Sequence, residues 1–169
     1  MTKIKYFDET DRGLLAVLQH DASLSNQQLA AQLGISPATC LRRTQRLREA
    51  GVIEKQVAIL SPSALSACSG QAEALSVLAE VSLSQQVQEV LDAFETRAVA
   101  MPEVQQCWRV SPGPDFVLVL LAQDMAHYQR IAQVLFTQDA CVRNVRAFFA
   151  TKRAKFGSQV LLPSVQSGT

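Results

Sequence analysis

A short stretch of the chain, SPATCLRRTQRLREAGVI at residues 36–53, combines four arginines with several apolar residues. An arginine guanidinium can donate two parallel hydrogen bonds to the O6 and N7 atoms of guanine, or it can bind a phosphate. Arginines grouped on one face of a helix would therefore suit contact with double-stranded DNA. The alternative interpretation is a basic helix face that lies in water.

Residues 37–50 divide into separate faces on a helix with about 100° per residue. Cys40, Thr44 and Leu47 form a narrow stripe that is predicted to pack on neighbouring helices. Leu41, Gln45 and Arg48 occupy another side. The adjoining arc carries the candidate DNA contacts Ala38, Thr39, Arg42, Arg43 and Arg46. Small residues near the beginning of this helix would let it enter the major groove.

Two further helices are predicted before this one. Acidic residues open a helical apolar pattern at residues 8–20, and Ser25 suits the N-cap of the next helix. Gly34 suits the end of that helix, and Pro37 suits the first turn of the third helix. Two helices separated by a two-residue turn form a helix-turn-helix. The remaining candidate DNA contacts lie at the beginnings of its two helices: Asn26, Gln27 and Ser36.

The chain after the helix-turn-helix divides by composition. Residues 52–60 are predicted to be extended, either as a wing or as a link to a neighbouring element. Residues 61–73 are rich in small residues, and we place the domain boundary there. The predicted organisation is a DNA-binding domain at 1–60, a linker at 61–73, a second domain at 74–163 and a tail at 164–169.

The second half of the chain alternates between strand and helix patterns. Strand patterns lie at 74–83, 104–111, 116–122 and 142–152, and amphipathic helix patterns lie at 84–100 and 125–138. This order, with right-handed crossovers, predicts a ferredoxin-like βαββαβ sandwich with two helices on one face of four antiparallel strands. The fold class is therefore α+β. The other sheet face is expected to pack against a second copy of the chain.

Composition narrows the function classes. The 169 residues carry a formal net charge of only +1, so DNA binding has to depend on a local patch. The four cysteines are widely scattered, and neither they nor the two histidines show the spacing of a metal or catalytic site. We expect no catalytic residue and no metal. Neither a signal sequence nor a membrane span is recognisable, which predicts a cytoplasmic, nucleoid-associated protein.

The stretch at residues 36–53 resembles the pattern SPxxxxRRxxxLxxxGVI of the Lrp/AsnC family of transcription regulators. DETDRGLLAVLQHDASLSNQQLAAQLG resembles the opening helices of that family, MPEVQQCWRVSPGPDFVLVL resembles its ligand domain, and LLP resembles its ending. The resemblance implies a winged helix-turn-helix domain joined to a ferredoxin-like ligand-sensing domain. It also implies homodimers, often assembled into octamers, and small effectors, typically amino acids, that bind between subunits.

The turn between the central strands departs from the family pattern. Ser111 and Asp115 match, but the turn reads SPGPDF, with Pro112 where the family has glycine. Two prolines remove two backbone donors from this turn. The resemblance makes Ser111, Gly113 and Asp115 the candidate effector-binding residues, whereas the alternative interpretation is a rigid hairpin turn.

Two DNA-binding functions follow from these observations. The first is a sequence-specific transcription regulator that an amino acid or a related small effector modulates. The second is a non-specific DNA-organising protein without a ligand switch, which the altered turn would favour. An enzyme built on the ferredoxin-like domain has fold-level precedent, but the sequence shows no site for it.

Overall fold

A computed structural model of the chain describes residues 7–164. The chain forms two compact units: unit 1 runs to Ile59 and resumes at Lys155, whereas unit 2 comprises Leu60–Ala154. Residues 155–163, which we predicted to belong to the second domain, therefore group with the helix-turn-helix unit. Of the predicted tail at 164–169, all but the first residue lies outside the described residues.

Unit 1 contains three helices, α1 (Glu9–Leu18), α2 (Asn26–Gln32) and α3 (Pro37–Glu49). Each has a polar N-cap whose side chain accepts a backbone N–H from the first turn, namely Asp8, Ser25 and Ser36. Such caps satisfy donors that would otherwise have no intrahelical partner. At the turn between α2 and α3, Gly34 has φ +63°, a conformation that L side chains rarely adopt. The predicted caps and turn are confirmed.

Unit 1 packs around one small core, in which Leu14 of α1 meets residues of α2 and α3. Cys40, Thr44 and Leu47 are the buried residues of α3, as their helical spacing predicts. Full burial of a leucine such as Leu14 or Leu47 contributes about 1.5–3 kcal/mol. This stripe holds α3 against the other helices and leaves the opposite side of α3 exposed.

Residues 52–60, which we predicted to be extended as a wing or a link, belong to no strand of the described chain. Their apolar side chains Val57, Ile59 and Leu60 are more than half exposed. The predicted linker at 61–73 contains a helix, α4 (Pro62–Ser69). Its signals are an N-cap at Ser61, a proline in the first turn and a left-handed glycine after the last residue. We predicted a linker here despite these signals, because small residues typical of loops dominate residues 61–73.

Unit 2 has the predicted βαββαβ order. Its strands are β1 (Leu75–Leu83), β2 (Val104–Arg109), β3 (Phe116–Ala122) and β4 (Val142–Phe149), and its helices are α5 (Gln88–Ala100) and α6 (Met125–Ala132), with a π-helical turn at Gln133–Thr137. The antiparallel sheet has the strand order β2-β3-β1-β4. The central pair therefore consists of β1 and β3, in a register that sets Val81 opposite Phe116.

The two sheet faces differ in burial. Val77, Ala79 and Val81 of β1 alternate toward a core shared with α5 and α6, where Phe94 lies 4.9 Å from Phe116 between ring centroids. The residues between them belong to the other face, and several large apolar side chains there are exposed: Leu78, Trp108, Leu121 and Phe148. None of the described helices is long and apolar enough to cross a membrane.

Candidate DNA-binding helix and effector turn

The beginning of α3 is fixed by hydrogen bonds among predicted DNA contacts. Ser36 Oγ accepts the backbone N–H of Thr39 at 3.2 Å and donates to Thr39 Oγ1 at 2.8 Å. Asn26 Nδ2, at the beginning of α2, donates to the carbonyl oxygen of Pro37 at 2.8 Å. These bonds hold Asn26, Ser36 and Thr39 close to the first turn of α3, where free backbone amides can also bind a phosphate.

The solvent face of α3 differs from the arc that we predicted. Ala38 and Arg42 are exposed on it, and so are Leu41 and Gln45, which we had assigned to another side. All four lie within about 100° on a helical wheel, so the spacing alone could have identified this face. Arg42 forms no hydrogen bond or ion pair with another described residue, and Gln27 of α2 is exposed as well.

Arg43 points toward the beginning of α1. Its NH1 group lies 2.8 Å from Asp8 Oδ2, 2.9 Å from Asp8 Oδ1 and 3.0 Å from Asp11 Oδ1. Only 22% of the Arg43 side chain is exposed. Hydrogen bonds between two charged groups are roughly twice as strong as neutral ones. In the structure, therefore, a side chain that we predicted to contact DNA forms intramolecular ion pairs instead.

Arg46 is engaged in the same way. Its NH2 group donates to Oδ2 of Asp11, whose side chain is fully buried. The Nε atoms of Arg43 and Arg46 are also buried, without a hydrogen-bond partner among the described residues. We call these four residues, Asp8 and Asp11 against Arg43 and Arg46, the acid clamp. The sequence analysis did not foresee this cluster, since it assigned Arg42, Arg43 and Arg46 alike to DNA contact.

Electrostatics favour the charged forms of the acid clamp. The Asp11 backbone N–H and the Arg43 guanidinium hold the pKa of Asp8 below its usual value. Hydrogen bonds to Asp8 and Asp11 raise the pKa of Arg43 above its usual value. The sequence did carry a signal for this cluster, because two acids three residues apart at the beginning of α1 face two arginines three residues apart in α3. Such complementary spacing identifies a pairing only once the helices are known to pack together.

The predicted effector turn lies between β2 and β3 in unit 2. Ser111 and Gly113 are exposed there, Ser111 precedes a cis proline peptide bond, and Gly113 has φ +122°. Asp115 is 7% exposed, and its carboxylate accepts the Leu83 N–H at 2.7 Å and the Gln86 side-chain amide at 2.9 Å. Asp115 thus joins the turn to the end of β1, which is a structural use of a residue that we predicted to bind effector.

A small cavity of about 210 Å³ lies elsewhere in unit 2, beside the ends of β1 and β3. His127 and Glu103 line it, with Nε2 of the histidine 3.2 Å from Oε1 of the glutamate. None of the predicted effector residues lines this cavity. No group of three or more histidine, cysteine or acidic side chains among the described residues could hold a metal ion.

Two family models match the chain, and together they span both units. Residues 7–54 match a winged helix-turn-helix DNA-binding model, and residues 76–160 match the Lrp/AsnC ligand binding domain. An uncharacterized HTH-type transcriptional regulator from Haemophilus influenzae is 33% identical over 92% of this chain and 89% of its own length.

The chain belongs to the Lrp/AsnC family. The leucine-responsive regulatory protein of Escherichia coli is similar to it, with 29% identity over 94% of this chain and 93% of that protein. A transcriptional regulator from Neisseria meningitidis, solved as an L-Met complex, superposes with a TM-score of 0.76 at 26% identity, covering 92% of this chain and 97% of the other.

These matches confirm the predicted family, the α+β fold class and the DNA-binding regulatory function. Members of the Lrp/AsnC family are transcription regulators, and the second unit of this member is a ligand-binding domain. The family model describes the first domain as winged. Within the described part of this chain, however, residues 52–60, which directly follow the helix-turn-helix, form no strand.

Proposed function

We propose that this Lrp/AsnC regulator reads DNA with the exposed face of α3 formed by Ala38, Leu41, Arg42 and Gln45. The observation that carries the proposal is the state of the four arginines of α3. Arg43 and Arg46 belong to the acid clamp, and Arg48 donates to the Gln56 side chain. Arg42 has no such partner within the described residues, and its guanidinium is exposed.

Each side chain of this face has a contact that suits its chemistry. Arg42 would donate two hydrogen bonds to a guanine or bind a phosphate. Leu41, 56% exposed, offers an apolar surface for the methyl group of a thymine. Ala38 is small enough to let the helix approach the bases. Asn26, Gln27, Ser36 and Thr39 would bind the phosphate backbone near the beginning of α3.

A homodimer is the assembly that best fits these parts. The exposed apolar side chains on the bare sheet face of unit 2, such as Trp108 and Phe148, would be buried against a second copy. Two copies of α3 would then reach successive major grooves, about 34 Å apart, on a two-fold symmetric site. Light scattering of the purified protein distinguishes the dimer from the octamer that the family resemblance also allows.

Replacement of one arginine tests the proposed reading face. Arg42→Ala is expected to weaken binding to a selected site by about 1–3 kcal/mol if a base contact is lost. Arg12→Ala is the matched control, because Arg12 is an exposed arginine of the same unit that lies on α1. Equal affinity of both variants in a titration would place the reading face elsewhere.

Selection of genomic fragments separates sequence-specific regulation from non-specific DNA organisation. A regulator enriches a few fragments that share a two-fold motif, and Arg42→Ala loses them. A DNA-organising protein captures fragments without a common motif, and its affinity for selected and random duplexes is similar at one salt concentration.

We also propose an amino acid with an apolar side chain as the effector of unit 2. The names of two relatives support this class, since one is leucine-responsive and the other was solved with L-Met. Ser111 and Gly113 would contact the effector, and Asp115 would shape their turn through its hydrogen bonds to Leu83 and Gln86.

Calorimetric titration of leucine and methionine into the purified protein tests the proposed effector. Heat of binding from either ligand, with glutamate as the control ligand, would support the apolar class. Gly113→Ala is expected to weaken binding of the amino acid, because alanine is strained at φ +122°. Its affinity for DNA without the amino acid should stay unchanged. Absence of heat for any amino acid would favour a regulator without this switch.

A further inference from the structure

The arginines of α3 present an electrostatic problem that the acid clamp solves. Arg42 and Arg46 are four residues apart, so they lie one helical turn apart on the same side of α3. Two unpaired positive charges at this spacing would repel each other and destabilise the helix. The carboxylate of Asp11 compensates the charge of Arg46, so the repulsion is reduced.

The position of Arg46 also bears on DNA binding. An arginine one turn after Arg42 is well placed to reach a neighbouring phosphate, because its stem is long and flexible. Such a contact carries no sequence information and would strengthen binding to any duplex. Arg43 lies about 100° further around α3 than Arg42, so its long side chain would have to turn away from α1 to reach a phosphate.

We infer that Asp8 and Asp11 are positioning residues, which keep Arg43 and Arg46 from phosphates and so limit the affinity for random DNA. Two observations carry this role. Three hydrogen bonds of 2.8 to 3.0 Å to Asp8 and Asp11 hold the Arg43 guanidinium toward α1. In addition, Asp11 is fully buried, so water does not screen its attraction for the two arginines.

The inference rests on the proposed reading face, which it deepens. The acid clamp withdraws two of the four positive charges of α3 from the DNA, and Arg42 remains for recognition. The overall net charge of +1 is consistent with such economy, because affinity for random DNA grows with the number of phosphates that a protein neutralises. With two of these charges withdrawn, the sequence-independent part of binding to DNA stays small.

The test measures the salt dependence of binding to a random duplex. Asp11→Asn and Asp8→Asn remove the charge of the acid clamp while they keep its shape, and asparagine caps a helix as well as aspartate does. Each arginine that moves to a phosphate should steepen the slope of log K against log salt by about 0.9. The affinity for the random duplex at low salt should rise as well, and this gain should disappear as the salt concentration increases.

Two controls separate release of arginine from a mere loss of negative charge. Glu9→Gln removes the same charge from the same helical turn, but Glu9 is exposed and faces Arg12 at 3.7 Å. It should leave the slope unchanged. Arg43→Gln added to Asp8→Asn should return the slope to that of the wild-type protein, because the released guanidinium is then absent.

The outcomes distinguish this inference from the proposed reading face. If Arg42→Ala weakens binding but neither asparagine variant changes the slope, the acid clamp is only structural and the inference is wrong. If Arg42→Ala has no effect, the reading face itself is wrong. Circular dichroism shows whether Asp11→Asn folds. If it does not, Asp8→Asn decides alone, since the Asp8 side chain is half exposed and its replacement leaves the core intact.

Discussion

Asp11 in unit 1 and Asp115 in unit 2 are the buried acidic residues of the described chain, and they are stabilised in different ways. Asp11 binds the guanidinium groups of Arg43 and Arg46 and accepts the Asp8 N–H at 3.3 Å. Asp115 accepts one backbone N–H and one side-chain amide, both of them uncharged. One carboxylate is compensated by charge and the other by neutral donors.

Each buried acid contacts residues outside the element to which it belongs. The partners of Asp11 lie on α3, the proposed DNA-binding helix, so this acid would influence which charges reach the DNA. The partners of Asp115 lie at the end of β1 and shortly after it, so that acid shapes a turn. Both acids are buried, so the charge and the place of their partners distinguish their proposed roles.

Asp11→Ala should give the largest stability effect and so test the charged half of the comparison. Its loss removes the charged hydrogen bonds to Arg43 and Arg46, each worth about 1.5–3 kcal/mol when buried and less for Arg46, whose side chain is 42% exposed. Hydrogen exchange of peptides from α1 and α3 measures this loss within unit 1. Glu9→Ala is the control, and a loss no larger than that of the control would show that the acid clamp contributes little stability.

Asp115→Ala should destabilise unit 2 less. The Leu83 N–H loses its acceptor, and a buried donor without a partner costs about 1–3 kcal/mol. The single tryptophan, Trp108, lies on β2 next to the turn, so its fluorescence follows denaturation of this unit. Glu73→Ala is the control because Glu73 is exposed before β1. A loss for Asp115→Ala as large as that for Asp11→Ala would remove the distinction between charged and neutral partners.

Local patterns predicted most of the fold. N-caps at Ser25 and Ser36, the turn at Gly34 and the alternation of Val77, Ala79 and Val81 all follow from interactions within a few residues of the chain. The failures share a different cause. Helix α4 consists of small residues typical of a loop, and residues 52–60 have strand-like composition but no strand partner among the described residues.

The candidate site was harder to predict because it depends on contacts between distant residues. Arg43 and Asp8 are 35 residues apart, and so are Arg46 and Asp11. A helical wheel assigns an arginine to a side of α3, but it does not show that a carboxylate of α1 packs against that side. The same limit applies to Asp115, whose partner Leu83 is 32 residues away.

The smallest expected effect concerns pH and the half-exposed member of the acid clamp. The pKa of Asp8 is lower in the folded chain than its usual value, first through the Asp11 N–H and also through Arg43. The ionised form therefore stabilises unit 1 above the unfolded pKa of about 3.9, and this stabilisation is lost as the pH falls through the lower folded pKa.

Asp8→Asn should reduce the acid dependence of unit 1, since asparagine keeps the cap but does not titrate. The effect should be modest because solvent screens an exposed pair, and added salt should diminish it further. Circular dichroism during acid titration at low and high salt measures both trends. If salt leaves the difference between wild type and Asp8→Asn unchanged, the ion pair between Asp8 and Arg43 contributes little to stability. Charge compensation in unit 1 then depends on Asp11 alone, in contrast to the neutral donors of Asp115 in unit 2.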